Sequence, residues 1–229
     1  MPSLTREFPS VKRKTITFLF KAKQMELTLK QIEDILSTRY GIEPARAGAF
    51  RGRLQHLQRG SFPDGVNTGK GHKAIYGWDQ LIQLSVALDL IDLGLSPEPA
   101  KAVVRMHLEK IRAGAASIGV LMTSATLLKA VREETLPFSK SVFLVTAAQA
   151  LSNLAGSEAS PGPRLNVMAG PNVIEIIRDE SPYAVAESVI NIGKRLISAM
   201  KMISMYHQID EAAVVADFEQ WANANVLGS

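Results

Sequence analysis

The sequence predicts a mainly α chain with a small β component, an α+β fold in two units. Three observations predict it. Apolar residues recur at helical spacing through most of residues 27–134. Short β-branched runs mark the stretch beyond residue 135, ahead of two further helical segments. The charge is also divided. Residues 1–73 hold 14 Lys/Arg against 6 Asp/Glu, a net +8, whereas residues 74–229 hold 12 against 16, a net −4. A basic front end on an acidic body is the electrostatic signature of a polyanion partner.

The totals bound the rest. The 229 residues suffice for two small domains, and 46% apolar residues can bury a real core. No run approaches the roughly 18 apolar residues of a membrane helix. MPSLTREFPSVKRK lacks an apolar h-region, so no secretory signal is read there. The chain has no cysteine, which excludes disulfides and thiolate metal sites and fits a reducing compartment. The expected location is the cytoplasm, with no membrane partner.

Taken in order, residues 1–26 read as a basic arm, with Lys12, Arg13 and Lys14 together. Within it, TITFLF can be read as strand or helical turn. Thr28-Leu29-Lys30-Gln31 has capping-box spacing, and Leu29, Ile32, Ile35 and Leu36 continue at helical intervals. Gly41 stops that helix. Pro44 suits the first turn of the next, EPARAGAFRGRLQHLQ, because its missing N–H costs nothing there. GSFPDGVNTGKGHK is a Gly-rich basic loop. Trp78 to Leu93 is a strongly apolar helix ended by Gly94. Ser96 caps another, with Pro97 and Glu98 in its first turn, expected to run to about Arg112. Ser117 to Glu134 reads as a further helix.

A second unit is expected from about residue 135. SVFLVTAA reads as a strand, and NLAGSEASPGPR as a loop. LNVMA and NVIEII read as two strands across Gly170-Pro171. Ser181-Pro182 then opens a long helix over 183–206, followed by a last helix from about Asp210 to Ala224.

Helix, turn, helix, basic loop, helix is the order of a winged helix-turn-helix, assigned to residues 27–115, with 116–134 as a connecting helix and 135–229 as an α+β dimerisation or sensing domain. On the second helix Ala47, Phe50, Leu54 and Leu57 form the packing side. The opposite side carries Ala45, Gly48, Ala49, Gly52, Gln55 and Arg59, flanked by Arg46, Arg51, Arg53 and His56. Small residues let a helix lie deep in the major groove, and long donors at its margins reach bases or phosphates. Two glycines cost such a helix about 1 kcal/mol each, so something should compensate. In the loop, Lys70, His72 and Lys73 would lie against phosphates and supply affinity and salt dependence rather than sequence choice. Gly65 to Gly71 is one residue short of a phosphate-binding loop and has no Ser/Thr after the lysine, so nucleotide hydrolysis is not expected.

Tyr76-Gly77-Trp78-Asp79-Gln80-Leu81-Ile82-Gln83-Leu84 and, further on, Leu93-Gly94-Leu95-Ser96 resemble the MerR-like winged-helix family. The resemblance covers roughly residues 27–112. It implies a dimeric regulator bound to double-stranded DNA, with Arg51 and Arg53 in the recognition helix and Lys70 and Lys73 in the wing. The family's Arg-Tyr-Tyr is replaced here by Ala49-Phe50-Arg51, the wing is long, and the metal-sensing cysteines of some members are absent. Phage excisionases and small terminase subunits carry similar winged helices, so a DNA-binding assembly protein for excision, packaging or segregation is the alternative to transcription regulation.

In the 183–206 segment, Val185, Val189, Ile192, Leu196, Met200 and Ile203 step close to a heptad seam, expected either to pair two copies of the chain or to pack within its own domain. The methionines around Met200, Met202 and Met205 read as core filling. His56, His72, His107 and His207 show no metal-ligand spacing, and the adjacent carboxylates Glu133-Glu134 and Asp179-Glu180 mark solvated helix ends or turns. The sequence therefore offers no catalytic set, metal, cofactor or named effector. The expectation is a non-enzymatic, sequence-specific DNA-binding protein.

Overall fold

A computed structural model of the chain describes residues 25–66, 74–147, 165–177 and 187–226. Its elements are α1 (Leu29–Arg39), α2 (Ala47–Arg59), α3 (Trp78–Asp92), α4 (Pro97–Met106), α5 (Leu108–Leu121), α6 (Ser124–Glu133), β1 (Val142–Ala147), β2 (Leu165–Ala169), α7 (Gly170–Ile177), β3 (Glu187–Asn191), α8 (Ile192–His207) and α9 (Glu211–Val226). The fold is α+β and mostly helical. Among the described residues no single helix is long and apolar enough to cross a membrane.

The local signals of the first half act as their chemistry dictates. Thr28 and Gln31 form a reciprocal capping box: Gln31 N donates to Thr28 Oγ1 at 3.3 Å, and Thr28 N donates to Gln31 Oε1 at 2.7 Å. Gly41, at φ +60°, takes the left-handed turn after α1. Pro44 opens a short 3₁₀ turn that leads into α2. Leu27 and Tyr76 exchange backbone hydrogen bonds at 2.8 and 2.9 Å. That single antiparallel bridge closes α1, α2 and the following loop into one unit.

α3 is the centre of the molecule. Every residue from Leu81 to Leu90 is buried, as expected for a helix that is apolar on all sides. α4 packs on α3 toward α2, and α5, α8 and α9 pack from the other directions. α5 can approach α9 closely because its residues are small. A Cβ on Gly119 would lie 2.7 Å from the methyl of Ala222 and 3.2 Å from the ring of Phe218. The glycines and alanines of α5 are thus contact residues.

From α4 onward, which ends at Met106 and not near Arg112, the chain departs from the sequence reading at several points. NVIEII is helix α7, not a strand: Gly170-Pro171 places proline in a first helical turn, and a short apolar run does not declare its period. Where a helix over 183–206 is expected, the described residues from 187 onward form β3 followed by α8. Asn191 caps α8, accepting from Lys194 N at 2.8 Å. The expected helix over 117–134 is two helices, α5 and α6, bent by 106° at Met122-Thr123, where the Thr123 hydroxyl accepts from Thr126 N.

The sheet has order β2-β1-β3, both pairings antiparallel. Leu144 stands opposite Val167 on one side and Ile190 on the other. Alternation along β1 sends Val142 and Leu144 to the main core beneath α5 and α8. Phe143 and Val145 go to a small second core with Val173 of α7.

The candidate dimer seam requires a correction. Ile192, Leu196, Met200 and Ile203 are buried in their own chain, where α8 packs against α1, α6, α9 and β1. Val189 lies on β3 and is exposed, and Val185 lies outside the described residues. Heptad-like spacing specifies a buried face; it does not specify whose side chains cover it. The same packing makes one core cluster that runs from Leu27 to Ala222, without a break at residue 135.

One polar network sits inside that core. Asp89 of α3 accepts two hydrogen bonds from Arg39 Nη2, at 3.2 and 3.0 Å, and one from the Tyr40 hydroxyl at 2.7 Å. Arg195 of α8 approaches it at 3.0 Å. The side chains of Arg39 and Asp89 are each only 3% exposed. Burial pushes the Tyr40 hydroxyl far above its ordinary range, with the Arg39 charge opposing, so it stays neutral and donates. Asp89→Ala would leave Arg39 charged and buried without its partner. The expected cost is about 3–5 kcal/mol of unfolding free energy in urea titrations. A loss below about 1 kcal/mol would show that the network holds little of the fold together.

Candidate nucleic-acid interface

α2 divides into two faces. Phe50, Leu54 and Leu57, 0–7% exposed, pack inward toward α1 and α4. Gly48, Ala49, Gly52, Arg53, Gln55, His56 and Arg59 are exposed, as are Ala45 and Arg46 in the 3₁₀ turn before the helix. No atom lies within 4 Å of a Cβ placed on Gly48 or Gly52. Internal packing therefore gives no reason for glycine at either position. The intrinsic cost of two helical glycines falls on an open surface flanked by cations.

The structure sorts the sequence-predicted cations. Arg46 is 81% exposed, 4.0 Å from Glu43. Arg53, Gln55 and Arg59 are exposed on the open side. His56, 55% exposed, lies 4.0 Å from Glu98 of α4. Arg51 is different: its Nε and Nη2 donate to the two carboxylate oxygens of Glu33 on α1, at 2.9 and 3.0 Å. That fork holds the guanidinium against α1 and ties the two helices at a fixed angle. Arg51 is thus first a strut. Lys70, His72 and Lys73 lie outside the described residues.

Two residues of α4 that sequence reasoning missed lie against the C-terminal end of α2. Lys101 is only 2% exposed, and its ammonium lies 2.6 Å from Glu98. A Cβ on Gly60 would lie 2.3 Å from that ammonium, so the glycine leaves room for the lysine end to lie directly against the chain. Arg105 donates to the carbonyls of Gly60 and Ser61 at 3.0 and 2.8 Å and to Asp64 at 2.9 Å. Two cations thus meet the negative end of the α2 dipole. The signal was present as Lys101 on the apolar face of α4, four residues before Arg105.

The loop after α2 is moored at both roots. Asp64 N donates to Gln83 Oε1 at 2.8 Å, and Gln80 Nε2 donates to the Asp64 carbonyl at 3.1 Å. At its exit Tyr76 bonds the backbone of Leu27, and its hydroxyl accepts from Gln58. A helix with an open, cation-edged face and an adjoining anchored loop can engage an extended polyanion without reorganising its scaffold.

Among the described residues no three His, Asp or Glu side chains converge to hold a metal ion. Comparison of the chain with protein-family models, with curated proteins and with solved structures finds no match.

The Arg51–Glu33 strut has a measurable consequence. Arg51→Ala should lower the denaturation midpoint more than Arg53→Ala, because it leaves the buried Glu33 carboxylate without its donor. Adding Glu33→Gln to Arg51→Ala should recover part of the loss, since the charge left behind is removed. Equal midpoints for Arg51→Ala and the parent protein would reduce the fork to an incidental surface contact.

Proposed function

We propose that the chain binds double-stranded DNA in a sequence-dependent way as a winged helix-turn-helix protein, acting as a MerR-like transcriptional regulator. In this reading α2 is the recognition helix, α1 its supporting helix and residues 60–76 the wing. The observation that carries the reading is the open face of α2: two glycines with nothing against them, bordered by Arg46, Arg53 and Arg59. At 1.5 Å per residue, its 13 residues extend about 20 Å, and the major groove is about 12 Å wide. The small residues permit the helix axis to approach the base edges. Arg53 and Gln55 supply donors for bases, and Arg46, His56 and Arg59 reach phosphates from the margins.

The basic loop adds the second half of the mechanism. Lys70, His72 and Lys73 would neutralise phosphates beside the groove, which steepens the salt dependence of binding. Arg51, held by Glu33, contributes by fixing the recognition helix and only secondarily by touching DNA. Two-fold pairing on a longer operator is part of the proposal, through a surface other than the buried face of α8.

Selection from a random duplex pool with the full chain should enrich a short motif, and affinity for it should fall as salt rises. Arg53→Ala should weaken that binding by about 1–3 kcal/mol, roughly 5- to 150-fold. Gly52→Ala is the sharper test. It should stabilise the free protein by up to about 1 kcal/mol, because the new methyl meets nothing and helix propensity improves. It should nevertheless weaken DNA binding by keeping the helix out of the groove. Equal binding by Gly52→Ala and the parent protein would take this face out of the interface. A pool bound without any enrichment would leave only a charge-driven association.

A further inference from the structure

A cleft of about 430 Å³ opens on the side of the molecule where the start of α3, the base of the loop and α9 meet. Its walls include Glu26, Asp79, Asp217, Trp78 and Trp221, and among the described residues the lining contains no Lys, Arg or His. We propose that this cleft is a binding site for a small organic ammonium ion, distinct from the open face of α2 and bordered by the base of the loop.

Charge points to a cation. Asp217 receives hydrogen bonds from Met25 N at 3.0 Å and from Trp78 Nε1 at 2.7 Å. Both of these donors are neutral, so they hold the Asp217 charge in place without cancelling it. Asp79 is already paired with Arg112 at 2.8 Å, which leaves Asp217 as the principal anchor. The geometry points to an organic ion: no three metal-ligating side chains converge among the described residues, whereas two indoles stand in the wall. An ammonium group near a carboxylate and an indole gains from both charge and the ring quadrupole.

A second, independent observation marks the same wall. Trp221 is 6% exposed, and its Nε1 has no hydrogen-bond partner. A buried indole N–H without an acceptor is unfavourable, and native structures usually supply one. The ring is stacked on Phe218, 5.5 Å between centroids, and in this proposal a ligand oxygen brought to the indole edge supplies the missing acceptor. The ligand therefore carries a cationic nitrogen for Asp217 and an oxygen for Trp221. The volume fits a molecule of a few to a dozen heavy atoms at the low end of ordinary ligand pockets.

The chain's two tryptophans both wall this cleft, so intrinsic emission reports on it directly. Choline is the probe, with 3,3-dimethylbutan-1-ol as its neutral isostere and tetramethylammonium as the cation without a hydroxyl. Choline should change the emission saturably, and the neutral alcohol should not. Trp221→Phe should weaken choline but not tetramethylammonium, with Trp78 as the remaining reporter. Asp217→Asn should weaken both cations by about tenfold or more. Should Asp217→Asn fail to fold, the comparison of choline with its neutral isostere on the unaltered chain still decides. An equal response to the alcohol, an unsaturable response to choline, or unchanged binding in a folded Asp217→Asn protein would overturn the proposal.

Discussion

A carboxylate on a helix that has no solvent side dominates the architecture. Asp89 sits on α3, buried from Leu81 to Leu90, and cannot reach water. Its charge must be met by groups brought to it, and three residues from two elements comply: Arg39 and Tyr40 from the end of α1, and Arg195 from α8. An apolar core alone would leave α1 free to slide or roll along α3. An Arg39 nitrogen shared between both carboxylate oxygens and a hydroxyl aimed at the same carboxylate favour one register. Burial lowers the proton affinity of Arg39 below its ordinary value, yet guanidinium titrates far outside the working range, so the pair stays ionic.

The candidate interface inherits its geometry from that register. α1 is placed by Asp89, α2 is held to α1 by the Arg51–Glu33 fork, and the far end of α2 is held to α4 by Arg105. The C-terminal helices belong to the same scaffold. Thr38 and Tyr206 share a hydrogen bond at 2.9 Å, and Gln31 meets His207 at 3.1 Å, so α8 braces α1 from behind. The open face of α2 is therefore carried by a rigid support, while the groups that would meet a ligand remain in solvent. Preorganisation of this kind removes much of the ordering cost of association.

Local signals were legible in the sequence where their chemistry is local. The Thr28–Gln31 box, Gly41, Pro44 and Gly94 announce the ends of α1, α2 and α3, and each acts through atoms within a few residues of itself. The two faces of α2 were likewise readable from helical spacing. Long-range partners were not. Nothing around Arg51 reveals that its fork closes on Glu33, 18 positions earlier, because that pairing depends on the crossing of two helices. The seam of α8 shows the same limit in apolar form: Leu196 and Met200 declare burial but not the identity of their cover. α7 and β3 were misread because short β-branched runs serve a strand or a buried helical turn equally well, and only their neighbours decide.

The link between Met25 and Asp217 joins residues 192 positions apart, and Trp78 makes its own bond to the same carboxylate from 139 positions away. On the ribosome, α1 to α4 emerge long before α9 exists to cover Trp78 and α5. At about 5–20 residues per second, that wait lasts some seconds to tens of seconds. During this interval the front half lacks the cover that α9 gives Trp78 and α5. Completion of the scaffold is thus a late event in biosynthesis, set by the arrival of α9. An early-formed segment of positive charge would meanwhile be held on a partly assembled body, a window in which chaperone capture competes with closure.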